Sequence, residues 1–286
     1  MTDLDGAWRA ARAAAVRWEL PEPVLMRSGM NVIFESGRHV LRVGEPTTTA
    51  VASLDLAGCL RQWGIRVPAP ARDDVVTVDG MSVTAWERLL PENAPIDWVE
   101  VGAMVRRVHD IQRTSLPASV PIPLPDHFGW WNFDDLLSRV DGALDAPARA
   151  GIDRAISLHD GWQATTDRVV CHGDVHPGNV VMTVDGPFLI DWDLLCWAPA
   201  GWDHAPMLTW ATRWGGAGHE YADFAIGYGT SMTSDPVGVA IAELRLVAAT
   251  LMRLAAGLRD PAAMPEAQRR LEYWRGAPDP AVWRAQ

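Results

Sequence analysis

The most informative stretch of the sequence is CHGDVHPGN, residues 171–179, which is followed closely by LIDWD, residues 189–193. The two glycines and the proline of the first stretch disfavour a regular element, so Asp174 is expected on a loop that turns sharply. Functional side chains are often carried on loops between rigid elements. We therefore expect the functional side chains in these two stretches.

Two further polar residues flank a predicted hairpin in this region. Asn179 precedes one apolar run and Asp191 follows the next, with Asp185-Gly186 as the turn between them. If the two runs pair as strands, the side chains at their outer ends lie close together. Amide and carboxylate oxygens are ligands that magnesium favours, so Asn179 and Asp191 are predicted to hold this ion.

The residues before the motif predict a small antiparallel sheet with helices. The periodicity indicates a helix over 7–18, a hairpin of 30–35 with 39–43, a helix over 47–63 and a hairpin of 75–78 with 82–86. A polar segment bounded by proline follows as a hinge. We therefore predict a nucleotide-binding lobe over 1–90 and a catalytic and substrate-binding lobe over 91–286.

The second lobe is predicted to be mostly helical. Helices are expected over 96–112, 133–144 and 147–163, short strands over 169–171, 180–183 and 188–190, and further helices from about residue 202. Four prolines predict an extended connection over 115–126, and the last ten residues are expected to fray.

The composition narrows the class of protein. A chain of 286 residues with 48% hydrophobic and 21% charged residues is expected to fold, and it has no apolar run near the ~20 residues that span a bilayer. The acidic N-terminus predicts a cytoplasmic protein without a secretory signal. A net charge of -11 disfavours nucleic acid as a partner and favours a cationic small molecule. All 25 cationic residues are arginine, so no role can fall to a lysine.

The motif resembles that of the aminoglycoside phosphotransferase family. Members of this family carry H-G-D-x-x-x-x-N followed by I-D-W-D or I-D-W-E, and 172–179 and 190–193 match both parts. The resemblance implies an α+β, protein-kinase-like fold of two lobes, with a small N-terminal antiparallel sheet and one main helix before a larger helical lobe. It also implies transfer of the γ-phosphoryl group of ATP or GTP, with Mg²⁺, to an alcohol group.

The same resemblance assigns roles to individual residues. Asp174 is the catalytic base or the group that orients the acceptor hydroxyl, and His172 supports the loop. Asn179 and Asp191 are the magnesium ligands. An aminoglycoside or another basic antibiotic is the first expected acceptor, which would make the chain an antibiotic resistance enzyme.

The nucleotide site is expected from the first lobe. The segment Met26–Asn31, with Ser28 and Asn31, resembles the turn that covers the nucleotide, and Glu87 begins the hinge. Arg42 stands where the family has the phosphate-contacting lysine, and its planar fork can bind phosphate oxygens. A helix acid should pair with this cation, and Asp55 is the candidate, although the family more often has a glutamate there.

The acceptor side is predicted from four residues with open alternatives. His176 is expected on the substrate side of the loop. Asp193 would face the same way as Asp191, reaching the metal through water or holding the loop, or is a surface carboxylate. Asp203 contacts the acceptor or is an N-cap, and Trp202 belongs to an aromatic group that is a ligand platform or core.

Other functions remain open at this stage. His172, Asp174 and His176 alternate, so a strand would direct all three to one face and bind zinc as in a metal-dependent hydrolase. Kinases of choline, homoserine or sugars share the same constellation. A protein that binds a nucleotide without turning it over is a further alternative.

Overall fold

The computed structural model describes residues 3–29, 31–44, 49–165 and 167–284. Met30 and residues 45–48, where a predicted strand and a predicted helix begin, lie outside these described residues. In the described part, no helix combines the length and the apolar character that crossing a membrane requires.

The N-terminal part contains a five-stranded antiparallel sheet. Its strands are β1 (Val24–Ser28), β2 (Val32–Ser36), β3 (His39–Gly44), β4 (Val76–Val78) and β5 (Met81–Glu87), in the order β1-β2-β3-β5-β4. The two predicted hairpins are confirmed as β2–β3 and β4–β5. Strand β1 was missed because it is exposed at every position and so has no alternation of apolar and polar residues.

Two helices accompany this sheet. Helix α1 (Leu4–Arg17) is rich in alanine, the strongest helix former, and its buried alanines let it approach the sheet closely enough for Trp8 to meet Phe34 edge-on at 4.7 Å. Helix α2 (Ala50–Gln62) begins at Thr49, whose hydroxyl accepts the amide of Ala52 at 3.2 Å. The buried side of α2 packs on the second lobe, which connects the two parts.

The C-terminal part is mainly helical, as predicted. Its helices are α3 (Trp98–His109), α4 (Phe133–Val140), α5 (Ala146–Leu158), α6 (Gly201–Leu208), α7 (Trp210–Arg213), α8 (His219–Tyr228), α9 (Pro236–Arg259) and α10 (Met264–Trp274). Four short strands form two antiparallel pairs, β6 (Val169–Cys171) with β9 (Cys196–Ala198) and β7 (Val180–Thr183) with β8 (Gly186–Leu189). The fold class is therefore the predicted kinase-like α+β arrangement, whereas the boundary at residue 90 stays a prediction.

The C-terminal segment is docked onto the helices up to residue 284, the last described residue, so the prediction that this end frays is wrong there. Trp283 is 2% exposed, and its amide donates to the carbonyl of Arg213 at 2.6 Å. Its ring meets that of Trp214 edge-on at 5.3 Å. A large aromatic side chain near the end of the chain thus supplies the apolar contact that keeps this segment in place.

Candidate active site

The predicted catalytic loop, residues 172–179, runs from the end of β6 to the start of β7. Strand β7 pairs with β8 so that Val180 faces Leu189, and the amide of Ile190 donates to the carbonyl of Asn179 at 3.0 Å. This pairing was predicted, although the turn consists of Val184 and Asp185, and Gly186 already begins β8. It brings Asn179 and Asp191 to the same end of the hairpin, beside the loop that carries Asp174.

Asp174 is held by three different side chains. Its Oδ1 lies 2.5 Å from Nη2 of Arg245, and its Oδ2 lies 3.3 Å from both Nε2 of His176 and Nδ2 of Asn179. Burial by itself raises the pKa of this carboxyl, but the hydrogen bond from His176 and the charge of Arg245 outweigh that effect and lower the pKa to about 2. Asp174 is therefore ionised at neutral pH and able to accept a hydrogen bond.

Asn179 and Asp191 form an oxygen-only donor set that fits a magnesium ion. Because Nδ2 of Asn179 donates to the main-chain oxygen of Asp174 at 2.9 Å, its Oδ1 remains as an acceptor for a cation. Partial desolvation and the neighbouring charge of Asp193 raise the pKa of Asp191, although Arg42 partly opposes them. A carboxylate whose charge is disfavoured in this way is stabilised by a bound cation.

His172 is buried and connects the catalytic loop to the residues after β8. Its Nε2 donates to the carbonyl of Ile190 at 3.0 Å, its Nδ1 accepts the amide of Asp174 at 3.2 Å, and its ring contacts Trp192. Gly173 has a φ of 98°, and a Cβ there would lie 1.9 Å from the carbonyl oxygen of Leu194. Only glycine fits this approach of the two loops.

Asp203 binds the backbone of the loop from the protein interior, so its prediction as an acceptor contact is wrong. Its Oδ2 accepts the amide of His172 and its Oδ1 that of Gly173, both at 2.8 Å, while Nε2 of His109 lies 3.0 Å from Oδ2. The side chain is fully buried. Asp203 therefore fixes the loop backbone and is closed to a substrate.

The zinc alternative is contradicted by the conformation of the loop. Residues 172–176 do not form a strand, and both ring nitrogens of His172 are used in hydrogen bonds. Nδ1 of His176 accepts the amide of Gly178 at 3.1 Å, and its Nε2 faces Asp174. The imidazoles thus support the loop and are not turned together toward an ion.

A cavity of 490 Å³ lies between the sheet and the catalytic loop. This volume falls within the range of small-molecule sites. Of the residues predicted for the nucleotide, Asn31, Arg42 and Glu87 line it, as do Asn179 and Asp191. Ser28 is exposed at the end of β1 and is not among the lining residues, so its predicted nucleotide contact is absent from this conformation.

Arg42 pairs with Asp193 and not with the predicted partner Asp55. Asp193 is also not the surface carboxylate that one alternative predicted. Nη2 of Arg42 contacts Oδ2 of Asp193, and Nδ2 of Asn31 donates to the same oxygen at 3.1 Å. Asp55 is exposed and accepts the hydroxyl of Ser119 at 2.6 Å, so it neither pairs with Arg42 nor lines the cavity. The strand ends at Leu189 and a 3-10 turn follows, which turns Asp193 inward, 8% exposed.

The residues on the acceptor side differ most from the predictions. Trp202 is fully buried among other indoles, which confirms the alternative that it belongs to the core and corrects its prediction as an acceptor contact. His176 remains on the open side of the loop and stacks on Trp210, whose ring stacks in turn on Trp214. Arg245 was missed altogether, because it lies on a helix 71 residues beyond Asp174 with no motif around it.

A protein-family model matches a large part of the chain. The model described as "Phosphotransferase enzyme family" covers residues 36–241, which includes the third strand, the catalytic loop and the start of α9. The chain belongs to the phosphotransferase enzyme family. A search of the curated proteins gave no match.

Solved structures of other phosphotransferases share the fold at low identity. Spectinomycin phosphotransferase, in complex with ADP and spectinomycin, is 15% identical, with a TM-score of 0.68 and 93% of each chain covered. The GDP complex of an aminoglycoside 2'-phosphotransferase is 13% identical, with a TM-score of 0.69 over 94% of this chain and 98% of that one. A choline/ethanolamine kinase family protein from Mesorhizobium loti is 17% identical, with a TM-score of 0.58 over 89% and 92%.

Proposed function

We propose that this phosphotransferase transfers the γ-phosphoryl group of ATP or GTP to a hydroxyl of a small, polar, cationic molecule. A basic antibiotic such as an aminoglycoside is the first candidate, and resistance in the cytoplasm is the corresponding role. The observation that carries the proposal is that Asn179 and Asp191 line the same cavity as Arg42, while Asn179 also contacts the carboxylate of Asp174.

The chemistry of phosphoryl transfer matches these side chains. The transition state is loose, so catalysis depends on positioning and on neutralising charge more than on a strong base. Asp174, with a pKa of about 2, is suited to orient a hydroxyl by accepting its hydrogen bond. Asn179 and Asp191 would hold Mg²⁺, which supplies positive charge for the phosphoryl oxygens. Arg42 would reach the phosphates once they draw it away from Asp193.

A second candidate acceptor is a metabolite with a quaternary ammonium group, such as choline. His176, which contacts Asp174, stacks on Trp210, so an aromatic surface and a carboxylate lie side by side, and aromatic rings attract cations. The structural similarity to a choline/ethanolamine kinase family protein is compatible with this acceptor.

The test is transfer of the labelled γ-phosphate from ATP and from GTP to a panel of aminoglycosides, other basic antibiotics, choline, homoserine and sugars. We expect one class to be labelled, and Asp174→Asn to lower kcat by at least about a hundredfold while nucleotide binding is kept. Asp185→Asn, an exposed aspartate in the β7–β8 turn, is the matched control and should remain fully active.

Two results would contradict the proposal. Full turnover in Asp174→Asn would remove the assigned role of this carboxylate. Nucleotide binding by the wild type without transfer to any acceptor or to water would favour the alternative of a protein that binds a nucleotide without turnover.

A further inference from the structure

Arg245 is a cation in direct contact with the proposed catalytic carboxylate. Its Nη2 lies 2.5 Å from Oδ1 of Asp174, and its Nη1 donates to the carbonyl of Gly173 at 3.0 Å. The side chain is 14% exposed. One guanidinium therefore binds the catalytic loop at two adjacent points, through a side chain and through the backbone.

Two indole rings hold the guanidinium in place. The carbon at its centre lies 5.2 Å from the ring centroid of Trp130 and 5.6 Å from that of Trp202. These distances are within the range of cation–π attraction. Trp202 is fully buried, so Arg245 packs on an indole that is fixed by the surrounding core.

The packing of α9 on α6 explains why a distant residue reaches the loop. Gly201 at the start of α6 meets Gly238 in the first turn of α9, where a Cβ on Gly201 would lie 2.6 Å from the Cα of Gly238. Arg245 follows Gly238 by seven residues, two helical turns, and so lies on the same face of α9. The close crossing therefore directs Arg245 toward the loop that α6 anchors through Asp203.

We infer that Arg245 is a positioning residue for phosphoryl transfer, which holds Oδ1 of Asp174 so that Oδ2 is presented to the acceptor hydroxyl. The inference rests on the proposed function. The two oxygens are held differently, since Oδ1 has a short contact with a fixed cation whereas both contacts of Oδ2 are 3.3 Å long. A hydroxyl bonding to a carboxylate at about 2.6 Å replaces such long contacts readily.

The test compares three substitutions by their kcat and by their KM for the nucleotide, in labelled transfer and in slow hydrolysis with water as acceptor. Arg245→Met keeps the aliphatic stem between the indoles and removes both hydrogen bonds. We expect kcat to fall by about 10- to 100-fold with the nucleotide KM within about twofold, because misplacing a reacting group by about 1 Å costs that much. Arg245→Lys should retain an intermediate rate, since an ammonium lacks the planar fork.

Chemical rescue separates positioning from packing. Arg245→Ala leaves space between the indoles, and added guanidinium ion at low millimolar concentration should restore at least about a tenth of the lost rate. Arg259→Ala, on the exposed end of the same helix, is the control and should neither lose activity nor respond to guanidinium. Thermal unfolding and nucleotide binding verify that each variant is folded.

The outcomes distinguish this inference from the proposed function. A wild type that neither transfers nor hydrolyses the nucleotide refutes the proposed function and this inference with it. An active wild type with an equally active Arg245→Met variant refutes only the inference. A slow, folded Arg245→Ala variant that guanidinium does not rescue, together with a Lys variant no better than Met, shows a packing role and overturns it as well.

Discussion

In a chain without lysine, the ion pair between β3 and the turn after β8 is formed by Arg42 and Asp193. The arginine on β3 contacts a carboxylate in the turn after the proposed metal ligand, and Asn31 donates to the same carboxylate at 3.1 Å. Arginine suits this position because its fork can keep several partners in one plane. The N-terminal sheet is thus connected directly to the turn after Asp191, without an acid from α2.

The residues of the motif could be predicted because their spacing encodes their chemistry. Asn179 and Asp191 flank a hairpin, and the hairpin is recognisable from its turn, so their proximity follows from the sequence. The inward turn of Asp193 could not be predicted, because it depends on the 3-10 turn that replaces the strand. Arg245 and Asp203 reach the loop only through helix packing, which leaves no local pattern in the sequence.

The burial of His204 is expected to make the stability of the protein depend on pH. It is fully buried against the rings of Tyr221 and Tyr228, and burial, together with the charge of His109, lowers its pKa from the ordinary 6.5 to about 3. Between these values the unfolded chain binds a proton that the folded protein excludes. Stability therefore falls as pH decreases below 6.5, by about 2 kcal/mol at pH 5 for this residue alone.

His204→Phe should remove this contribution while it keeps the ring contacts. We expect the free energy of unfolding, measured by urea titration at several pH values, to fall less steeply from pH 7 to pH 5 than in the wild type. His219→Phe, exposed at the start of α8, is the control and should leave the slope unchanged. An unchanged slope in His204→Phe would show that this imidazole is not buried in its neutral form.

At the scale of elements, the helices and hairpins were predicted where turn residues and apolar periodicity are clear in the local sequence. The hairpins β2–β3 and β4–β5 contain a glycine in their turn, Gly186 directly follows the turn of β7–β8, and all three hairpins form. Strand β1 was missed because an exposed edge strand needs no apolar alternation. The docking of the C-terminal segment was also missed, since it depends on the site that Trp214 and Arg213 provide for Trp283.

The crossing of α3 and α8 depends on glycine at the contact. A Cβ on Gly227 would lie 1.7 Å from the carbonyl oxygen of Val99, and a Cβ on Gly102 would lie 2.0 Å from that of Phe224. Because these neighbours are backbone atoms, they cannot move aside without separating the helices. Helix α3 also carries His109, which contacts the anchor Asp203, so this crossing supports the catalytic loop.

Gly227→Ala should therefore destabilise the protein by about 3 kcal/mol, as expected for overpacking against rigid backbone. Gly58→Ala in α2 is the control, because a Cβ there meets nothing within 4 Å. That substitution should be neutral or stabilise by about 0.5–1 kcal/mol through helix propensity. Chemical denaturation measures both, and equal stabilities for the two variants would contradict the close crossing.

At the scale of the whole molecule, the site exists only where the two parts meet. The first lobe contributes Arg42 from β3 and Asn31 from the residues between β1 and β2. The β7–β8 hairpin presents Asn179 and Asp191, and α9 contributes Arg245. The sequence predicted the fold class and the phosphotransferase family, because both follow from the motif at residues 172–179 and 190–193. The predicted acceptor, a basic antibiotic, stays a prediction, because the side chains near Asp174 come from loops and helices whose packing has no motif.

The most direct test of the phosphotransferase site is the binding of Mn²⁺, as a substitute for Mg²⁺, measured by its EPR signal with and without the non-hydrolysable analogue AMP-PNP. We expect tight binding only when the nucleotide is present, and loss of that binding in Asp191→Asn and Asn179→Ala but not in the control Asp185→Asn. Binding of the ion that needs no nucleotide, or that survives both substitutions and is lost in His172→Ala, would contradict the assignment of this site.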